Sequence, residues 1–126
     1  VRTEFRWVEE ARLAALFSAA DLVVLPYRDG SQSAMAPLAL AHGVPVLTTR
    51  VGGLSEVVRD GVNGIVVEPG SAGALTSALE RLDSDQLARY AAGARESAER
   101  LTWQGYGAAL EGLLEAATAK IRLRKR

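Results

Sequence analysis

The chain has 126 residues, of which 48% are hydrophobic and 24% are charged, and its 15 basic and 15 acidic residues cancel to a formal net charge of zero. This length suits one compact domain. The balanced charge provides no field that would favour nucleic acid or an anionic membrane, so we expect no nucleic-acid partner. The absence of cysteine excludes disulfides and thiolate sites, and with only one histidine we expect no metal site.

The ends of the chain indicate a cytoplasmic protein. The first residues carry no signal-peptide pattern, and every apolar run is far below the roughly 18 residues that a membrane span needs. We therefore expect a cytoplasmic location, with peripheral attachment to a membrane as an option for the full-length protein. Residues 1–120 are assigned to one domain. Residues 121–126 are interpreted as a solvated basic tail, with contact to a lipid or a partner as the alternative.

The first half of the chain predicts short strands alternating with helices. The predicted elements are a strand over Val1–Trp7, a helix over Val8–Ala20, a strand over Leu22–Leu25, a helix over Ala34–His42 and a strand over Val46–Thr49. The run over Leu22–Leu25 is wholly apolar and is closed by a proline, which is typical of a strand buried on both faces. Gly43 is expected to end the second helix at its C-terminal cap.

The second half predicts one more strand followed by helices. Ser55 is expected to cap a short helix that runs through Val58, and a strand covers Ile65–Glu68. Ser71, Ser84 and Thr102 are each expected to cap a helix, and these helices extend to about Leu82, Arg100 and Ile121. A helical spacing of apolar residues predicts that the last helix is pinned by packing, through Trp103, Tyr106, Leu110 and Leu113.

This alternation predicts an α/β fold: a Rossmann-like parallel sheet with helices on both faces, followed by a helical C-terminus. Ligands of such sheets bind at the carboxyl ends of the strands. The rule selects three loops as candidate binding regions, those that follow Leu25, Thr49 and Val67.

The loop after Leu25 has the chemistry of an anion site. It leads into a helix whose first backbone N–H groups have no partner within the helix and lie at the positive end of the helix dipole. A phosphate or diphosphate suits such a place. The candidate binding residues here are Tyr27, Gly30, Ser31, Gln32, Ser33, Ala34, Met35 and Leu38. The alternative is that Ser31 or Ser33 only caps the helix.

The turn after Thr49 is a second candidate. Gly52 and Gly53 are adjacent, and glycine permits both a positive φ and the close approach of another group. We include both as candidate ligand-binding residues, and a tight turn without a ligand is the alternative. Glu56 and His42 suit the ends of their helices and are interpreted as structural.

Five segments, in this order and over about residues 8–115, resemble family 4 of the GT-B glycosyltransferases. Residues 20–27 resemble its A-D-x-x-V-x-P strand, and residues 42–47 its G-x-P-V turn and strand. The third segment is the glycine turn with its short helix, which reads VGGLSEVV at 51–58. The fourth contains the D-G and N-G turns with their strand and reads DGVNGIVV at 60–67. The fifth is the start of the closing helix, which reads TW at 102–103. Together these matches are specific, although each alone is weak.

The resemblance implies the C-terminal, donor-binding domain of a retaining glycosyltransferase. Its ligand would be a nucleoside-diphosphate sugar of the UDP or GDP type, with no other cofactor. It also implies an N-terminal acceptor-binding domain upstream of this chain, together with the arginine and lysine that neutralise the leaving diphosphate. We therefore expect the 126 residues alone to be an inactive fragment, whose incomplete sheet leaves an edge open for a second copy.

The sequence departs from the family at two glutamates, eight positions apart, that flank the phosphate-binding helix. Gly30 and Leu38 stand at those positions, and leucine cannot accept hydrogen bonds from a ribose. The stretch PYRDGSQSA at 26–34 is similar instead to a branch that carries P-Y-R-x-x-x-Q-S, followed by Gly or Ala. In this branch we expect hydroxyls and backbone amides to bind the anion, with Arg28 as a further phosphate contact. A degenerate domain that only binds a partner or oligomerises is the alternative function.

Overall fold

The computed structural model of the chain describes residue 3 and the ranges 7–100 and 102–124. The strand predicted over Val1–Trp7 falls largely outside the described residues. The described elements alternate between helix and strand before three helices complete the chain. They are α1 (Glu10–Ser18), β1 (Val23–Leu25), α2 (Met35–Ala41), β2 (Val46–Thr49), α3 (Leu54–Val57), β3 (Gly64–Val67), α4 (Ala72–Glu80), α5 (Ser84–Arg100) and α6 (Trp103–Arg124).

The three strands form one parallel sheet in the order β1-β2-β3. The register aligns Leu25 with Thr48 and Thr48 with Val66, so these three residues share a face. Helices α2, α3, α4 and α5 contact the sheet or one another around it. The prediction of an α/β fold with a parallel sheet and surrounding helices is confirmed.

The core lies between the sheet and α2. Ala36, Ala39 and Leu40 of α2 are completely buried, together with Val46 of β2. Phe17 of α1 joins the same cluster and stacks on His42, with ring centroids 4.9 Å apart. The small alanines allow α2 to lie close to the strands, and this fixes the position at which the helix begins.

The two edges of the sheet differ. At β3, the Asp60 carboxylate accepts the N–H of Val66 at 2.9 Å, and the N–H of Gly61 donates to the Gly64 carbonyl at 3.0 Å. The turn at Asp60 and Gly61 therefore occupies hydrogen-bonding groups that an incoming strand would use. Among the described residues, no strand pairs with the outer edge of β1.

The helix caps predicted at Ser71 and Thr102 are confirmed, whereas Ser55 lies inside α3, whose N-cap is Gly53. The Ser71 hydroxyl accepts the N–H of Ala74 at 3.1 Å, and the Thr102 hydroxyl accepts the N–H of Gly105 at 3.0 Å. The start of α5 differs from the prediction. Its cap is Asp83, whose carboxylate accepts the N–H of Gln86 at 2.7 Å, while the Gln86 side chain accepts the N–H of Asp83 at 3.3 Å. This reciprocal pair is a capping box, which satisfies two amide donors where Ser84 would satisfy one.

The predicted packing of the last helix is wrong for the side chains that the structure describes. Tyr106 is 65% exposed, Leu110 46% and Leu113 69%. The helical spacing correctly indicated an apolar stripe, but this stripe faces away from the core of the chain. Helix α6 continues to Arg124, and the interpretation of 121–126 as a solvated tail stays a prediction.

Candidate functional site

Strands β1 and β2 end side by side, and two threonine hydroxyls tie these ends together. Thr48 Oγ1 donates to the Leu25 carbonyl at 3.2 Å, and Thr49 Oγ1 donates to the Tyr27 carbonyl at 2.6 Å. Both threonines are almost fully buried. The chain that leaves β1 is therefore held against the end of β2.

The glycine turn after β2 packs against the loop after β1. The N–H of Gly53 donates to the Ser31 carbonyl at 2.9 Å. At Gly52, where φ is +48°, an added Cβ would lie 2.3 Å from the Gly30 carbonyl oxygen and 2.4 Å from that of Ser31. The group that approaches these glycines closely is therefore the loop after β1 of the same chain. The structure therefore brings the two predicted regions into contact. We refer to them together as the β1–α2 corner, which consists of the loop 27–33, residues 34–35 and the turn 51–53.

Helix α2 begins at Met35, one residue later than predicted, and Ser33 provides its side-chain cap. Ser33 Oγ accepts the N–H of Met35 at 3.2 Å and lies 3.2 Å from the Tyr27 hydroxyl. The capping role that was the alternative for Ser33 is thus present in the structure. The Met35 amide already has a protein partner, Ala36 is completely buried and Pro37 has no N–H, so an anion at this helix start would bind through the amides before Met35.

Those preceding amides are available. The backbone N–H groups of Ser31, Gln32, Ser33 and Ala34 make no hydrogen bond to another residue of the described ranges. Ser31, Gln32 and Ala34 are exposed, and Gly30, with a φ of +147°, has nothing within 4 Å of an added Cβ. The outer side of the loop is therefore open to solvent and rich in donors, while its inner side rests on the glycine turn.

Met35 and Leu38 occupy a different environment from the rest of the predicted set. Both are partly buried and pack against the core cluster. Leu38 therefore contributes packing at the position where the family commonly has a glutamate.

Arg28 lies in a neighbouring cleft at the same edge of the sheet. The cleft has a volume of about 230 Å³ and lies between the end of β1, the end of β2 and the start of α4, where its lining includes Arg28, Thr49 and Ser71. The loop after β3, the third region selected by the parallel-sheet rule, contributes here through Gly70 and Ser71. A larger cavity of about 440 Å³ lies between β3, α4 and α5, lined by residues that include Asp60, Arg81 and Tyr90.

The sequence did not predict the contacts of Thr49, which ends β2, or those of the Gln32 side chain in the β1–α2 corner. Two threonines end β2, which is otherwise apolar, and buried hydroxyls need partners. The two threonines therefore indicate from the sequence alone that the Thr49 hydroxyl needs a hydrogen-bond partner. The amide nitrogen of Gln32 would lie 2.9 Å from a Cβ on Gly53, a proximity that only the folded loops create.

Residues 2–85 match the family model described as glycosyl transferases group 1. Together with the parallel sheet and its open carboxyl edge, this match defines the class: the chain belongs to the glycosyl transferases group 1 family and has the fold of a GT-B C-terminal domain.

Individual relatives carry the same classification. D-inositol 3-phosphate glycosyltransferase from Xylanimonas cellulosilytica is 39% identical over 115 residues, which cover 90% of this chain and 28% of that protein. The enzyme of the same name from Gordonia bronchialis is 40% identical over 95 residues, covering 74% and 21%. The chain therefore spans about a quarter of the length of the curated relatives that it matches.

Solved structures agree with the fold. Sucrose-phosphate synthase from Thermosynechococcus elongatus superposes with a TM-score of 0.74 at 28% identity, over 90% of this chain and 29% of its own. Anabaena Alr3699/HepE, solved in complex with UDP, superposes with a TM-score of 0.66 at 25% identity, over 80% and 29%. Within the described residues, no helix has both the length and the apolar character needed to cross a membrane.

Proposed function

We propose that this chain is the donor-binding domain of a retaining glycosyltransferase, and that the β1–α2 corner binds the diphosphate of a nucleotide sugar. The observation that carries the proposal is the run of four backbone amides, from Ser31 to Ala34, that have no partner among the described residues. Successive free amides in a loop that enters a helix form an anion site.

The chemical class of the donor is supported from two sides. The family transfers sugars, and the solved structure of Alr3699/HepE contains UDP. We propose UDP or GDP as the nucleoside diphosphate. We propose no sugar and no acceptor, because this chain spans only about a quarter of the length of its curated relatives.

The corner would act mainly through electrostatic stabilisation. As the bond between the sugar and the diphosphate breaks, negative charge grows on the leaving phosphate oxygens. Amides aimed at those oxygens lower the barrier, and Arg28, at the same edge of the sheet, is a candidate cation. In a retaining transfer the leaving phosphate would assist the incoming hydroxyl.

We expect the acceptor site and part of the positive charge for the diphosphate to lie outside this chain. With Leu38 packed on the core, no carboxylate side chain stands at that position to accept a ribose hydroxyl. An N-terminal domain would supply the acceptor site and further cations for the diphosphate. We therefore propose that the chain binds the donor and is inactive in transfer when alone.

Calorimetric titration of the chain with UDP and with GDP tests this proposal. We expect weak binding of at least one of them. Ser33→Trp should abolish it, because the indole would fill the space beside the free amides. Ser84→Trp, at an exposed position that begins α5, is the matched control and should bind like the unsubstituted chain. No heat with either nucleotide, or equal binding by Ser33→Trp, would refute the proposal.

A second candidate function is a binding or oligomerisation module that has lost transfer activity. The observation that favours it is the difference between the sheet edges: Asp60 and Gly61 cover β3, whereas β1 has no partner strand in the described part of the chain. Val24 of β1 is also 40% exposed. A second copy of the chain could pair along this edge.

A further inference from the structure

Thr49 is a buried polar residue whose hydroxyl connects the end of β2 to the loop after β1. It is the last residue of β2, it is 2% exposed, and its hydroxyl donates to the Tyr27 carbonyl at 2.6 Å. Tyr27 lies two residues beyond the end of β1. The hydrogen bond therefore acts on the first part of the loop and not on the sheet ladder.

The contact continues from Tyr27 to the helix. The Tyr27 hydroxyl lies 3.2 Å from Ser33 Oγ, which in turn accepts the N–H of Met35. A chain of hydrogen bonds thus links the end of β2 to the first residue of α2 and crosses the loop on the way. Loss of the Thr49 hydroxyl would remove the bond between Tyr27 and β2, and Tyr27 would then be held by its own N–H, which donates to the Leu25 carbonyl at 3.0 Å.

A second anchor comes from the glycine turn that follows β2. Four residues after Thr49, the N–H of Gly53 donates to the Ser31 carbonyl at 2.9 Å. The two anchors hold the loop at Tyr27 and at Ser31. The free amides from Ser31 to Ala34 begin at the second anchor, so their direction is set before any ligand arrives.

We propose that Thr49 is a positioning residue for diphosphate binding: it holds the loop 27–33 in the conformation that presents the free amides. This inference rests on the proposed function. An ordered loop loses less conformational freedom when it binds, so preorganisation appears directly as affinity. Thr49 need not touch the ligand for this effect.

Three variants test the role by calorimetric titration with UDP and GDP. Thr49→Val keeps the shape and removes the hydroxyl, and we expect the Kd to rise about three- to tenfold, the range that corresponds to losing one hydrogen bond. Thr49→Ser keeps the hydroxyl and should return the Kd to within about twofold of the original. Thr48→Val is the matched control, because it removes an equally buried hydroxyl whose bond, at 3.2 Å, goes to the strand carbonyl of Leu25.

Thermal unfolding separates positioning from general destabilisation. Both valine variants should lower the Tm, because each removes one buried hydrogen bond to a backbone carbonyl. Only Thr49→Val should weaken nucleotide binding. Equal weakening by both variants, or no weakening by Thr49→Val, would overturn the inference.

Hydrogen exchange without nucleotide tests the positioning role independently of the proposed function. The amides of Met35 and Gly53, whose hydrogen bonds hold the loop at Ser33 and Ser31, should exchange faster in Thr49→Val than in Thr48→Val, and Thr49→Ser should restore their protection. If neither UDP nor GDP binds but this difference is found, the proposed function fails, while the loop anchor itself stands. If the exchange of these two amides is unchanged in Thr49→Val, the positioning inference fails whatever the nucleotide affinity.

Discussion

At Gly52 the backbone has a φ of +48°, and an added Cβ would meet the carbonyl oxygens of Gly30 and Ser31 within 2.4 Å. Both features require glycine, because other residues rarely adopt this conformation and the neighbouring atoms belong to backbone that cannot move alone. The sequence predicted that another group approaches this turn. It could not predict that the group is a loop of the same chain, since residues 31 and 53 meet only after β1 and β2 have paired.

Gly52→Ala should therefore destabilise the chain by about 2–5 kcal/mol, the sum of a left-handed backbone penalty and an overpacking cost. Gly61→Ala is the matched control, because Gly61 has a φ of +73° and nothing within 4 Å of an added Cβ. It should cost only about 1–2 kcal/mol. Urea unfolding measures both variants, and equal losses would show that the contact between the two loops does not restrict the turn.

At the scale of single elements, local sequence signals predicted much of the fold. The apolar run before Pro26, the caps at Ser71 and Thr102, and the end of α2 at Gly43 all depend on neighbouring residues. The packing of α6 depends on a distant partner, and periodicity shows only that an apolar stripe exists. This is why the exposure of Tyr106 and Leu113 could not be predicted from the sequence.

Substitution of two helical glycines by alanine should change the stability of the chain in opposite directions. In α5, a Cβ on Gly93 would lie 2.1 Å from the Val62 carbonyl oxygen, whereas in α6 a Cβ on Gly112 meets nothing within 4 Å. Gly112→Ala should stabilise the chain by about 0.5–1 kcal/mol through helix propensity. Gly93→Ala should destabilise it by about 1–3 kcal/mol, because α5 must move off the 60–64 turn. Thermal unfolding reports both signs, and a gain for Gly93→Ala would contradict the close packing described for α5.

At the scale of the whole molecule, the unequal sheet edges lead to a prediction about self-association. If β1 pairs with a second copy, light scattering should give twice the 13.4 kDa mass of the chain. Val24→Lys should restore the monomer, because a lysine on an edge strand opposes further pairing. Val62→Lys is the matched control, since Val62 is 41% exposed, close to the 40% of Val24, but lies in the turn beside β3. A monomer before any substitution would remove the support for the oligomerisation module.

The proposed binding of a nucleoside diphosphate at the β1–α2 corner can be measured directly by an NMR titration of the ¹⁵N-labelled chain with UDP and GDP. We predict that the amide signals of Ser31 to Ala34 shift first and most, followed by those of Gly52 and Gly53 as the adjoining turn responds. Shifts centred instead on Asp60, Arg81 and Tyr90, which line the larger cavity between β3, α4 and α5, would contradict the assignment of the β1–α2 corner. The absence of shifts with either nucleotide would contradict it equally.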